Sequence, residues 1–210
     1  MPKYQLNRRE LIEKCAAIGV VVTATSLPIS AIARIWDDSE MRHPTPPNAF
    51  GPFYKKHSPR AKDLRAPEDM GLPLTVAGRV LDTRSEILQD AKVEVWHADH
   101  FGRYDVDGYH FRAQIPLESK ATYSFDSVMP GHYPDRVCQH VHFLVSAPGH
   151  KTLVTQLYFA TDPVFDGDPD KNFTRDPLIV SRELVRPVVL TGDPKTMHAA
   201  VNFEVCLERL

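Results

Sequence analysis

From residue 74 onward, apolar residues recur at every second position. Leu74, Val76 and Val80 share one parity, as do Ala91, Val93 and Val95, and Val201, Phe203, Val205 and Leu207 repeat the pattern near the C-terminus. Successive side chains of a strand point to opposite faces, so this period predicts strands with one buried face. Similar runs predict further strands over 109–117, 122–129, 139–147, 152–160 and 178–189. Turn-forming residues separate them at Asp82-Thr83-Arg84-Ser85, Pro130-Gly131 and Pro148-Gly149. About eight short strands with no long helical pattern between them predict an all-β fold, a Greek-key β-sandwich with long loops over residues 74–210.

Residues 34–73 are rich in proline, histidine and charge and keep no period, which predicts an extended arm ahead of the sandwich. The stretch from Asp162 to Asp176 reads as a long acidic loop. Its Asp166-Gly167-Asp168-Pro169-Asp170 run suggests calcium, but Lys171 stands where an EF-hand needs glycine and Pro177 where it needs a bidentate glutamate. A solvated loop is the better reading.

The first 33 residues read as an address. Arg8-Arg9 precedes Leu11 and Ile12, no residue from Cys15 to Ala33 is charged, and Ala31-Ile32-Ala33 offers a small-x-small cleavage site. This resembles a bacterial twin-arginine signal peptide. Thr23, Thr25, Ser26, Pro28 and Ser30 interrupt the apolar run, which makes it a poor membrane span of ~20 residues. The expectation is export in folded form to the periplasm or beyond, with no stable membrane association after cleavage; an uncleaved anchor is the alternative. Replacing Arg8 and Arg9 with lysine is expected to trap the precursor in the cytoplasm, and unchanged export would remove this reading.

Composition adds limits. The 210 residues, 42% hydrophobic and 25% charged, suit one compact domain, and eighteen prolines suit a loop-rich β fold. With a formal charge of -2 and no run of Lys or Arg, a nucleic-acid partner is not expected. A homo-oligomer stays open. Cys15 lies in the N-terminal run, leaving Cys138 and Cys206, and the sequence leaves open whether these two form a disulfide in an oxidising compartment.

Chemistry enters with His140-Val141-His142 inside a strand-like run. Period two sends both imidazoles to one face, where they can reach one metal ion, while Val141, Phe143 and Val145 fill the core. Upstream stand Tyr104, in Gly102-Arg103-Tyr104, and Tyr133, in Pro130-Gly131-His132-Tyr133-Pro134. A phenol titrates near pH 10 in water, yet a hard trivalent cation displaces its proton and holds the phenolate. Taken singly, each tyrosine reads equally as a core or corner residue.

Together these segments resemble the intradiol ring-cleavage dioxygenases, the family of protocatechuate 3,4-dioxygenase and catechol 1,2-dioxygenase. The resemblance runs in order through Gly51-Pro52-Phe53-Tyr54, Trp96-His97-Ala98-Asp99, the two tyrosine segments, His140-Val141-His142 and Thr155-Gln156-Leu157-Tyr158-Phe159. It implies a non-haem Fe(III) held by Tyr104, Tyr133, His140 and His142, and a β-sandwich fold. It also implies a catalytic Arg136 facing the substrate ring, with Gln156 beside it. The arm would contribute Pro52 and Tyr54 to the pocket wall. The implied reaction takes a catechol-type diol and O2 and opens the ring between the hydroxylated carbons, giving a cis,cis-muconate-type diacid. Arg136 precedes His140 by four positions, where the family's arginine commonly precedes its histidine by three. Two rival classes remain: an exported β-sandwich binding module, and a copper or zinc protein using His140, His142 and one of His97, His100 or His132.

Overall fold

The computed structural model describes residues 42–134 and 136–210. The twin-arginine segment and its cleavage site lie outside the described residues. Ten strands are present among them: β1 (Pro73–Asp82), β2 (Lys92–Trp96), β3 (Arg112–Ile115), β4 (Thr122–Val128), β5 (His140–Ser146), β6 (Leu153–Phe159), β7 (Val185–Arg186), β8 (Val189–Thr191), β9 (His198–Asn202) and β10 (Val205–Leu207).

They form two five-stranded sheets. In the first, β1 pairs with antiparallel β4 on one side and with parallel β9 and β10 on the other, and β8 flanks β9. The second runs β3-β2-β5-β6-β7 and is antiparallel except for the β6–β7 pair. The inner faces meet in one core. Phe143 of β5 sits 6.3 Å from Phe125 and 6.1 Å from Tyr123 of β4, and 5.0 Å from Phe203, centroid to centroid. Burial of these alternating apolar residues is the main favourable term holding the sheets together.

Two expected strands are broken, each for a local reason. Between β9 and β10 the Phe203 carbonyl leaves the ladder and accepts the Tyr123 hydroxyl. Only glycine tolerates that approach: a Cβ on Gly78 would lie 2.0 Å from the Phe203 oxygen. The 178–189 run is interrupted by a 3-10 turn over Arg182–Leu184, whose start is capped by the Ser181 hydroxyl. It then crosses from the second sheet to the first at Pro187, which lacks the N–H a ladder would use.

The Asp162–Asp176 stretch is not a solvated loop throughout. It contains 3-10 turns at Pro163–Phe165 and Phe173–Arg175 and a short helix over Pro169–Asn172 capped by Asp168. Its end residues Asp162 and Asp176 are each 1% exposed, their carboxylates accepting two backbone N–H groups apiece. Cys138 and Cys206 are both free and buried, one ahead of β5 and the other in β10, so the disulfide is not formed.

Residues 42–72 have no strand or helix of their own. Thr45 N donates to Cys206 O at 2.9 Å on the first sheet, and Asn48 N to Val154 O at 2.8 Å on the second. The segment returns through isolated bridges from Arg60 to Gln114 and from Asp63 to Asp126. Between these anchors, residues 49–54 reach the outer face of the second sheet, where Phe50 and Tyr54 pack on Trp96.

Candidate metal centre

Because Val141, Phe143 and Val145 fill the core, His140 and His142 face outward from the second sheet. Register extends that face: His140 pairs with Tyr158, and His142 pairs with Gln156 on one side and Trp96 on the other. Trp96 stacks on His142 at 4.8 Å with an interplanar angle of 4°. The histidines are 2% and 1% exposed, so they are outward of the sheet but not open to solvent.

Two loops carry the tyrosines over this face. Asp99 shapes the first, its carboxylate accepting Phe101 N and Arg103 N at 2.9 Å each. Gly131 N donates to Asp99 O at 2.8 Å, joining that loop to the second. The backbones then approach so closely that a Cβ on Gly102 would lie 2.0 Å from the His132 oxygen, and Gly102 has φ of +81°. The Gly102 and Gly131 positions thus bring Tyr104 and Tyr133 to 5.7 Å, ring to ring.

The polar atoms converge on one nitrogen. His140 Nε2 has the Tyr104 hydroxyl at 3.5 Å, the Tyr133 hydroxyl at 3.3 Å and Arg136 Nη1 at 3.2 Å. On the other side of the ring Nδ1 meets Cys138 O at 2.8 Å, so Nδ1 carries the hydrogen and Nε2 the lone pair. One lone pair cannot satisfy three donors. His142 lies 4.8 Å from His140, centroid to centroid, and its Nδ1 is buried with no hydrogen-bond partner.

Burial keeps His140, His142 and Tyr104 neutral in the absence of a cation. Burial, then Arg136, lowers the His140 pKa to about 3, and burial, then His140, lowers that of His142 well below its ordinary value. Burial pushes the Tyr104 phenol up, against the pull of Arg136 and Arg112. Two neutral imidazoles and two phenols are a donor set that a hard trivalent cation can use, since it repays loss of the phenol protons. The residues therefore fit a ferric ion.

Arg136 reaches the centre although its spacing departs by one position. Its N–H donates to Tyr133 O at 3.0 Å. Nη2 donates to Gln156 Oε1 at 2.7 Å and to the Tyr158 hydroxyl at 2.8 Å, and lies 3.9 Å from Asp176. Gln156 in turn donates to Ala49 O at 2.6 Å, tying the arm to the site. Pro52 is exposed at a turn, and the Tyr54 hydroxyl donates to Glu94 at 3.2 Å, outside the cluster. The arm residue against the tyrosines is Phe53, stacked on Tyr104 at 4.2 Å and edge-on to Tyr133 at 6.4 Å.

Three further residues support the cluster: Tyr158, Asp162 and Asp176. Tyr158 shares the parity of Gln156, which is a usable signal. Asp162 and Asp176 carry no such signal within an acidic run. Asp162 accepts His132 Nε2 at 3.1 Å and Gln139 N at 2.7 Å, closing the loop that bears Tyr133 and Arg136 from both ends. Asp176 accepts Cys138 N at 3.2 Å beside His140.

The copper or zinc alternative lacks its third ligand. His97 is committed to Ala98 O and Ser127 Oγ at 2.7 Å each, His132 to Asp162, and His100 packs on Phe101. Among the described residues no group of three or more His, Cys, Asp or Glu could hold a metal.

Two facing sheets with a His-Tyr-Arg cluster on one outer face define a sandwich with a candidate metal site outside its core. Residues 49–209 match the model of a dioxygenase family, and the chain belongs to that family, the intradiol ring-cleavage dioxygenases. It is 34% identical over 148 residues to hydroxyquinol 1,2-dioxygenase of Nocardioides simplex, an alignment covering 59% of this chain and 50% of that protein. It is 32% identical over 164 residues to catechol 1,2-dioxygenase 2 of Acinetobacter lwoffii, covering 64% and 58%. The chain thus spans between half and three fifths of these relatives' length. Among solved structures it is similar to the dioxygenase domain of a dioxygenase carbohydrate-binding protein fusion from Streptomyces sp. SirexAA-E, with a TM-score of 0.66 and 30% identity, covering 80% of this chain and 100% of that one. The fold also matches 3-chlorocatechol 1,2-dioxygenase from Rhodococcus opacus 1CP, with a TM-score of 0.68 at 19% identity, covering 87% and 78%.

Proposed function

We propose that the protein is an Fe(III)-dependent intradiol dioxygenase that opens catechol-type rings with O2 between the two hydroxylated carbons. Tyr104, Tyr133, His140 and His142 are the metal ligands in this reading. The observation that carries it is the convergence of Tyr104, Tyr133 and Arg136 on His140 Nε2, a crowd of donors that becomes consistent once the phenols lose their protons. When bound, the ferric ion supplies the Lewis acidity that makes a doubly deprotonated diol reactive toward O2.

The remaining work falls to the chain. The Cys138 carbonyl fixes His140 in the tautomer that presents Nε2. Tyr133, touched by Phe53 only at the ring edge, is the phenolate placed to take a proton from the incoming diol. Tyr104, stacked face to face on Phe53, stays in position. Arg136, aimed by Gln156 and Tyr158, holds a fixed positive charge where the ring becomes electron-rich. Atoms balance as diol plus O2 to diacid, with both oxygen atoms retained. The relatives named for catechol and for hydroxyquinol support the substrate class, not one member of it.

Metal analysis with a visible spectrum tests the reading. Stoichiometric iron with a reddish phenolate-to-iron band is expected. A colourless protein carrying zinc, a copper spectrum, or a protein with no metal affinity would refute it.

A further inference from the structure

Arg112 opens β3 and pairs with Trp96, so Gln156, His142, Trp96 and Arg112 form one row across the outer face of the second sheet. Its side chain has a use that the sequence motifs do not assign. The residue is 3% exposed, yet its close partners are neutral carbonyls. Nε and Nη2 donate to Asp105 O at 3.2 and 2.9 Å, and Nη1 donates to Phe53 O. The guanidinium carbon lies 5.7 Å from the centre of the Tyr104 ring.

A buried cation is costly unless an anion stands near it. The ionisable groups acting favourably on Arg112 are Tyr104 and Asp105. The Asp105 carboxylate makes no direct hydrogen bond to Arg112 and accepts the N–H groups of Asp107, Gly108 and His110 at 3.1, 2.7 and 2.8 Å. The other group is the Tyr104 oxygen, which is an anion once it binds a metal. The same fork also has a mechanical effect: it joins the carbonyl of Phe53, whose ring stacks on Tyr104, to the carbonyl of Asp105, the residue after Tyr104.

We propose that Arg112 is a positioning residue for Tyr104, clamping its ring against Phe53 and placing a fixed positive charge beside its phenolate. This rests on Tyr104 serving as a phenolate ligand. It separates Arg112 from Arg136, which lies on the His140 side and faces Gln156 and Tyr158. It also sets Arg112 apart from Arg103, which pairs with Asp99 at the surface with 71% of its side chain exposed.

The test compares iron-loaded wild type, Arg112→Met and Arg112→Lys by metal content, visible spectrum and steady-state kinetics. Methionine removes charge and fork; lysine keeps the charge and loses the fork. Without the cation the phenolate donor level rises, so the Arg112→Met band is expected to move to longer wavelength by about 10 nm or more. Arg112→Lys is expected to keep the wild-type band position while turnover falls about tenfold through the misplaced ring. If the wild type carries the band and Arg112→Met absorbs at the same wavelength, the charge role is wrong. Wild-type turnover in Arg112→Lys overturns the clamp, and this variant decides the matter if Arg112→Met does not fold. A wild type with no phenolate band overturns the functional reading itself, whatever the variants do.

Discussion

Replacing His140 with alanine is expected to leave a folded protein that binds iron more than about 100-fold more weakly and is isolated without colour. The size of the effect follows from its place in the cluster. Both phenol hydroxyls and Arg136 Nη1 address its Nε2, and the Cys138 carbonyl orients that atom. Alanine removes the lone pair around which the other groups are arranged, and the carbonyl bond that aimed it. The fold tolerates the loss because His140 lies on the outer face of β5, whereas the inner face carries Val141 and Phe143. Iron content by elemental analysis, beside circular dichroism to show folding, checks the expectation. Stoichiometric iron and unchanged colour in the variant would take His140 out of the ligand set.

Arg136→Ala is expected to behave in the opposite way, keeping iron and colour while turnover falls about 100-fold or more. Arg136 donates to Gln156 and Tyr158 and stands at hydrogen-bonding distance from His140, so its charge is fixed before substrate arrives. Its removal leaves Asp176 with two backbone donors, Cys138 N and Leu178 N, so the buried carboxylate keeps its partners and the loop its shape. Arg136→Lys restores a charge without the planar fork and is expected to recover only part of the rate. Kinetics on proteins of matched iron content decide this. Near-normal turnover in Arg136→Ala would move the electrostatic role to another group.

The sandwich and the outward-facing row of the second sheet were legible because one rule governs both. Alternation put Val141, Phe143 and Val145 inside and therefore His140 and His142 outside, and Gln156 and Tyr158 follow from the register of β6 on β5. What was not legible depends on contacts distant in sequence. The break at Phe203 arises from the Tyr123 hydroxyl and Gly78, which alternation within residues 201–207 does not encode. The 178–189 run is apolar because it serves both sheets in turn, not because it is one strand. Asp162 and Asp176 look like solvated charges in an acidic stretch, and only the fold reveals that they accept backbone and imidazole donors from the 132–139 loop. In the arm, the motif containing Pro52 and Tyr54 lies over the outer face of the second sheet. Within that motif the ring against the tyrosines is Phe53.

In the proposed reading, the oxidation state of the iron decides where the ring is cleaved. Two phenolates favour Fe(III), which binds O2 poorly and so must activate the substrate, whereas cleavage beside the diol generally needs Fe(II) held by two histidines and one carboxylate. No carboxylate is grouped with His140 and His142 among the described residues, while two tyrosine hydroxyls reach His140 Nε2. The most direct measurement is turnover of a catechol-type diol under isotopically labelled O2, with mass analysis of the product. A colourless cis,cis-muconate-type diacid carrying both labelled atoms, formed as oxygen is consumed one-to-one, is the predicted result. A yellow semialdehyde, or activity that requires added Fe(II), would contradict it.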